Sequence, residues 1–289
     1  MLILPALIKQ VRKLACENEE FSWFNRMVYC RSMYIHPITG AIREIVSIFS
    51  EMGFSVAQGP EIEDEWHNFG ALNVPEDHPA RDMQDTFWLK PPAEGVRFAR
   101  PAERSSAGLG LPEDGLVMRT HTSPVQVRYM QEYEPPVRII VPGKVYRNES
   151  TDMTHEAQFY QVEGLAVDTD INLAHLKGTL EHFFEKFFGG DVDVRFRPSY
   201  FPFVEPGVEV DMRLTGEGVP EKLKDKWIEI MGAGMVHPHV LNSVGINPKK
   251  YQGFAFGVGV ERLAMLKWGI DDVRLFHTGD LRFVHQFKA

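Results

Sequence analysis

RIIVPGKVYRNESTDMTHEAQFYQVEGLAV, residues Arg138 to Val167, holds two runs of alternating apolar and polar residues on either side of a short polar loop, Ser150 to Glu156. Alternation with period two marks a strand whose two faces meet different surroundings, so the spacing predicts a hairpin with strands over Arg138 to Glu149 and Ala157 to Val167. The same alternation puts Arg147 and Glu149 on one face of the first strand, and Phe159, Gln161 and Glu163 on one face of the second. An aromatic ring among a charge pair and an amide suits a nucleotide pocket. It also suits the solvent side of an edge hairpin, and the segment alone leaves both readings open.

Working toward the C-terminus, FAFGVGVER, Phe254 to Arg262, alternates Ala255, Gly257 and Gly259 along a strand and passes into a helix near Val260. Small residues on one strand face let a ligand approach the backbone, and an Arg in the first helical turn can meet an anion. Close packing of the helix on the strand explains a bare G-x-G equally well. Toward the N-terminus, Ile38, Ile42, Ile45, Phe49 and Met52 recur at helical spacing over Pro37 to Met52, with Gly53 as the stop and Phe54 to Val56 as the start of a strand. Further strand-like runs fall at Phe201 to Glu205 and at Trp227 to Met231 continuing into Met235 and Val236, and helical runs at Asn172 to Phe188 and Val260 to Trp268. Consecutive strands joined by short turns predict an α+β fold, an antiparallel sheet flanked by helices, and not a doubly wound Rossmann sheet. The stretch PPAEGVRFARPAERSSAGLGLPEDG, Pro91 to Gly115, has no period and is dense in Pro, Gly, Ser and Ala, so it reads as a flexible surface insertion near 91–115.

The whole chain, 289 residues and 44% hydrophobic, supplies apolar material for one large core or two modest ones. Charged residues interrupt every apolar run well before the roughly 20 residues a membrane helix needs, so no membrane span is expected. The two cysteines, Cys16 and Cys30, form no C-x-x-C clip, which points to a reducing compartment, the cytoplasm. Leu2, Ile3, Leu7, Ile8, Val11 and Leu14 make an amphipathic stripe that reads as a short packing helix, with a transit peptide as the other reading. A net charge of −9 argues against a surface that grips nucleic acid broadly, and places most RNA binding, if RNA is a substrate, on another chain.

Taken together the segments resemble the three signatures of class II aminoacyl-tRNA synthetases, in order. The helix ending at Gly53 and Phe54, with Gly59 and Pro60, is similar to motif 1; Tyr146, Arg147, Asn148 and Glu149 with the loop and strand through Phe159 to motif 2; Gly257, Gly259, Glu261 and Arg262 to motif 3. HPIT (His36 to Thr39), GPEIE (Gly59 to Glu63), DHPARDMQDTFW (Asp77 to Trp88), RTHTSPVQ (Arg119 to Gln126), FPFVEPG (Phe201 to Gly207), GMVHP (Gly234 to Pro238) and DLRF (Asp280 to Phe283) narrow the resemblance to the bacterial-type phenylalanyl-tRNA synthetase α subunit. It runs from about His36 to the C-terminus, so residues 36–289 are expected to form the catalytic domain and 1–35 a short N-terminal segment. That family carries a coiled-coil arm that contacts tRNA, and the resemblance does not extend to such an arm, whether the chain is naturally short or part of a longer one.

The resemblance implies ATP-dependent formation of phenylalanyl-adenylate and transfer of phenylalanine to tRNA(Phe). It implies Arg147 bridging the substrate carboxylate and the α-phosphate, Arg262 on the γ-phosphate, and His155 reaching the outer phosphates. Adenine would lie between Phe159 and Arg262 with Glu149 at its exocyclic amine. Gln161 and Glu163 would meet the ammonium group, helped by His121 and Ser123 with Gln126 nearby. Phe201 and Phe203, sharing one strand face, would stack edge-to-face on the substrate ring, and Ala255 beside Gly257 would face its para position. Mg2+ is expected with the polyphosphate, with Glu205 as its candidate ligand. The partners implied are a β subunit in an α2β2 tetramer, tRNA(Phe) and phenylalanine. Two other readings are a catalytically inactive paralogue acting as a binding module, and a ligase with another carboxylate or a non-tRNA acceptor. An inactive paralogue need not keep Arg147, Glu149 and Arg262 together, and this chain has all three.

Overall fold

The computed structural model describes residues 34–82, 85–90, 115–190, 192–215, 219 and 223–288. The N-terminal stripe, both cysteines and residues 91–114 of the insertion lie outside them.

Two units are distinguished. The larger spans Ile38–Thr278, and the smaller takes in Gly279–Ala289 with the chain up to Pro37. In the smaller, Tyr34 bridges Lys288, the Ile35 N–H donates to Phe287 O, and a one-turn helix, Leu281–Val284, is capped by the Asp280 carboxylate.

The larger unit is built on a seven-stranded sheet. Its strands are β1 (Ser55–Val56), β5 (Val137–Tyr146), β6 (Gln158–Asp168), β7 (Val192–Phe201), β8 (Val204–Leu214), β9 (Ile228–Val236) and β10 (Gln252–Gly259), in the spatial order β1-β5-β6-β10-β9-β8-β7. Only the short β1 runs parallel to its neighbour, and every other pairing is antiparallel. A small sheet of β2 (Ile62–Asp64), β3 (Trp88–Leu89) and β4 (Leu116–Met118) stands beside it. The α+β architecture expected from the spacing is the one observed.

Of the helices α1 (Pro37–Glu51), α2 (Glu65–Asn68), α3 (Ser123–Glu132), α4 (Leu173–Phe188), α5 (Pro238–Ser243) and α6 (Val260–Trp268), α1 and α4 cover one face of the large sheet. Apolar residues three and four apart on these helices make stripes that bury only against each other and the sheet. Phe49 of α1 stacks on Phe183 of α4 at 5.0 Å and on Phe256 of β10 at 5.2 Å. Gly53, at φ +83, ends the turn after α1 as the sequence indicates. Phe256 lies opposite Gly164, and a Cβ there would come within 2.1 Å of the Phe256 ring, so only glycine lets this ring cross the neighbouring strand.

The other face carries Leu165 and Val167 of β6 and Ala255 of β10 against α3 (Ser123–Glu132) and the loop through Phe69, Ala71 and Leu72. This face holds the cavity. The hairpin of Arg138 to Val167 is present as β5 and β6 in register from Val137↔Val167 to Tyr146↔Gln158. Its first strand stops at Tyr146, so Arg147 and Glu149 stand past the strand end and do not share a strand face. Phe201 to Glu205 is not one strand either: Phe201 closes β7, Pro202 and Phe203 form the turn, and β8 begins at Val204. Alternation over five residues cannot distinguish a strand from a tight turn between two strands, which is why the period misled here.

Candidate active site

The cavity has a volume of about 430 Å³ and lies over β6, β10, β9 and the turn between β7 and β8. His121, Ser123, Gln126, Arg147, Gln161, Glu163, Phe201, Phe203, Ala255 and Gly257 all line it. Ten residues named from sequence, drawn from five separate segments, thus meet in one space. Glu149, His155, Phe159, Arg262 and Glu205 are not among the lining residues.

At the polar end, the α3 N-terminus points into Glu163. The Thr122 N–H donates to Glu163 Oε1 at 3.1 Å, while the Ser123 hydroxyl and the Gln126 amide donate to Oε2 at 2.5 and 3.0 Å. Glu163 is only 4% exposed. Burial pushes its carboxyl up to about 7, against the pull of Ser123, the Thr122 N–H, Arg147 and Arg119. Gly257 lies across from Glu163 on β10, and a Cβ there would meet Glu163 Cγ at 3.0 Å and Gln161 Nε2 at 3.3 Å. Glycine keeps this strand open where the two polar side chains cross it. The buried Oε1 of Gln161 and Nδ1 of His121 have no hydrogen-bond partner among the described residues. Burial, with Arg147 nearby, lowers the His121 imidazole to about 3, so the ring is neutral at physiological pH.

At the apolar end, Phe201 and Phe203 stack on each other, centroids 6.0 Å apart and planes at 23°. Gly232 of β9 leaves room for Phe201, since a Cβ there would lie 2.8 Å from the ring. Ala255 faces the cavity from β10; Phe254 and Phe256 are buried, and of these two Phe256 also borders the cavity although it was expected to point to the other face.

Arg147 joins the cavity to the open side. Its guanidinium lies 5.0 Å over the Phe159 ring and its Nε donates to Thr120 O at 3.3 Å. Arg147, and not the Arg262 expected there, is thus the arginine that lies over the Phe159 ring. Glu149 and Arg262 are exposed. In the loop after β5, the Thr154 and His155 N–H groups and the His155 ring bind Asp152, so His155, 56% exposed in its side chain, is held within its own loop. Glu205 has a 75% exposed side chain, and its Oε2 lies 3.2 Å from His237 Nε2.

Sequence reasoning missed several contributors. Glu209 and Glu229 line the cavity, each bound to Arg197, at 2.9 and 3.1 Å. The signal for Glu229 was the alternation of Trp227, Glu229 and Met231, read only as strand. Arg119, 4% exposed, donates to the carbonyls of Lys144, Gly59 and Pro60, and so ties motif 1 to the motif 2 strand. Nothing local in the sequence separates such an Arg from a surface one.

Residues 24–287 match the family model for the tRNA synthetases class II core domain (F). The chain is 55% identical over 256 residues to the phenylalanine–tRNA ligase alpha subunit of Dehalococcoides mccartyi, covering 88% of this chain and 69% of that one. It is 49% identical over 278 residues to the protein of the same name from Cellvibrio japonicus, covering 95% and 75%. Among solved structures, the pyrrolysyl-tRNA synthetase of Desulfitobacterium hafniense superposes with a TM-score of 0.60 at 18% identity, covering 98% of this chain and 86% of that one. That likeness speaks for the fold alone.

Proposed function

The chain belongs to the family of class II tRNA synthetase core domains, with phenylalanine–tRNA ligase alpha subunits as its relatives, and from that premise we propose how its residues divide the work. The activity is ATP-dependent synthesis of phenylalanyl-tRNA. The observation that carries the division is a single cavity with two unlike ends. One is a stack of aromatic rings, and the other a buried carboxylate beside an amide oxygen, Gln161 Oε1, that lacks a donor among the described residues. These match the ring and the ammonium group of phenylalanine.

The ammonium group donates to Gln161 Oε1 and to Glu163, whose own position is fixed by Thr122, Ser123 and Gln126. Neutral His121 adds an uncharged neighbour and so does not repel the ammonium. The ring fills the space between Phe201, Phe203 and Ala255, where offset and edge contacts with aromatic neighbours favour it over an aliphatic chain. The carboxylate then lies toward Arg147, which bridges it to the α-phosphate. In adenylation a carboxylate oxygen forms a bond to the α-phosphorus while the bond from that phosphorus to the bridging oxygen breaks and pyrophosphate leaves. The developing charge is met by Arg147 and, on the outer phosphates, by Arg262 and His155. Arginine suits both posts because its planar fork is always charged and binds phosphate at two points. Adenine stacks at Phe159 with Glu149 at its amine. In the second step a ribose hydroxyl of tRNA(Phe) attacks the carbonyl and AMP departs.

The family uses a divalent metal with ATP, and we take it to be Mg2+. The donor chemistry fits: Glu205 is a carboxylate with a 75% exposed side chain, and Mg2+ is held by one or two carboxylates together with substrate phosphates and water. When bound, the ion neutralises charge on the polyphosphate. The inactive-paralogue reading is not favoured, since the cavity is intact and Arg147, Glu149 and Arg262 are all present.

We further propose an α2β2 assembly with a β subunit, in the cytoplasm. The relatives are named as alpha subunits, and no helix among the described residues is long and apolar enough to cross a membrane. The test is ATP–pyrophosphate exchange against a panel of amino acids, with and without a co-expressed β subunit. Exchange driven by phenylalanine is expected, strongest with the partner, and exchange driven by another amino acid in preference would overturn the assignment.

A further inference from the structure

Where β10 ends at Gly259, opposite Gln161, the chain turns into α6 (Val260–Trp268), and β6 loses its neighbour on that side. Tyr160, the next residue of β6, would present an unpaired N–H there. Instead Glu261, in the first turn of α6, places both carboxylate oxygens against it, at 2.9 and 3.0 Å. Glu261 is 4% exposed, and burial holds its carboxyl up at about 7, with only backbone N–H groups, its own and that of Tyr160, pulling it down. A buried carboxylate facing no cation among the described residues is costly to keep, so the rung it supplies calls for an explanation beyond packing.

Its neighbours give one. Tyr160 is flanked by Phe159, the ring under Arg147, and by Gln161, which lines the cavity; Glu261 is followed by Arg262. We propose that Glu261 is a positioning residue that extends the β10–β6 ladder by one side-chain rung, locking Phe159 and Gln161 in register with Arg262. The backbone that carries the nucleotide-stacking ring, the ammonium acceptor and the outer-phosphate cation is thereby held as one rigid unit, while the exposed Arg262 side chain stays free to close on the phosphates. The inference rests on the roles given above to Phe159, Gln161 and Arg262. Glu261 itself touches no substrate and has no lining position in the cavity.

The test uses the α chain with its β subunit and two variants. Glu261→Ala removes the acceptor, and Glu261→Gln restores one neutral acceptor of the same length. Hydrogen exchange followed by mass spectrometry reports on the locking itself. In Glu261→Ala the peptide covering residues 157–163 is expected to lose protection at least tenfold while the β8 and β9 peptides stay as in the parent, and Glu261→Gln should recover most of it. Pyrophosphate exchange reports the consequence: KM for ATP is expected to rise about tenfold in Glu261→Ala, the scale of one lost hydrogen bond of this kind, with recovery in Glu261→Gln. Unchanged protection over 157–163 in both variants would overturn the proposal. Lost protection with an unchanged KM for ATP would instead overturn the substrate roles on which it rests. If the alanine variant does not fold, Glu261→Gln decides alone: protection and KM within about threefold of the parent support an acceptor role, whereas a tenfold loss in either shows that the charge, and not the rung, is what matters and overturns the proposal.

Discussion

The two ends of the site are built differently. Around Glu163 every donor is in place: a helix N-terminus, a hydroxyl and an amide converge on a carboxylate that is 4% exposed, with Gly257 leaving the clearance they need. Across Arg147, at the nucleotide end, Glu149 and Arg262 are exposed, and His155 is bound only within its own loop. The amino-acid end is preorganised by burial, and its specificity is stored in the fold. The nucleotide end is an open array of charges whose convergence requires the polyphosphate, because like charges such as Arg147 and Arg262 gain nothing from meeting without an anion between them. Substitutions at the open end should therefore leave the fold intact and remove rate, while those at the packed end should change selectivity or stability.

The largest effect is expected from Arg147→Ala and Arg262→Ala. Each should lower phenylalanine-dependent pyrophosphate exchange by about 10²-fold or more, the loss of roughly 3 kcal/mol of transition-state stabilisation. Tm should stay near that of the parent for exposed Arg262, and Arg147→Lys should not restore activity, since an ammonium lacks the fork. Wild-type exchange in either alanine variant would break the contrast between the two ends.

A smaller effect, at the packed end, is expected from Ala255. Opening the floor with Ala255→Gly should admit 4-chlorophenylalanine, and Ala255→Val should depress phenylalanine turnover, each by about 10- to 100-fold, the range that one or two methyl groups control in an apolar pocket. By the same limit the parent should misactivate tyrosine detectably. Exchange measured with the three amino acids in the three proteins decides it. Unchanged selectivity in both variants would place the ring elsewhere.

The smallest effect concerns pH. Glu163 carries a folded-state carboxyl near 7, above its ordinary value near 4.5, so the folded chain holds that proton more tightly than the unfolded one. The stability this contributes is fully present below about pH 4.5 and is lost as pH rises through 7, amounting to a few kcal/mol at most, about 1.4 kcal/mol for each unit. Glu163→Gln should flatten the decline of Tm between pH 5 and 8. In the parent, KM for phenylalanine should fall as pH rises through 7 and the carboxylate becomes available to the ammonium. A parallel slope in parent and variant would show that Glu163 is not the group responsible.

How far the sequence reached follows from the range of the interactions involved. Periodicity is local, and it identified β6, β9, β10 and the helices α1, α4 and α6 within a residue or two of their ends, while it carried β5 three residues too far, to Glu149. It also separated Ala255 and Gly257 from Phe254, because alternation on one strand needs no knowledge of what lies across it, but not from Phe256, which borders the same cavity. The strands β7 and β8 were seen only at their shared turn, although Val192 to Arg197 (VDVRFR) and Val208 to Leu214 (VEVDMRL) alternate; that Arg195 and Arg197 meet the buried Asp211 is set by the register between the two strands, which neither strand contains alone. The same limit hid the network at Glu163, whose donors lie 37 to 41 residues away, and the rung from Glu261 to Tyr160, which spans 101.

Residue types and their order along the chain thus settled the family, the sheet and the inventory of charges and rings. Which carboxylates are buried, which pairs of side chains meet and which arginine covers Phe159 were decided only by tertiary packing. Desolvation and strand register are properties of elements brought together from distant parts of the chain, and no spacing within one element contains them.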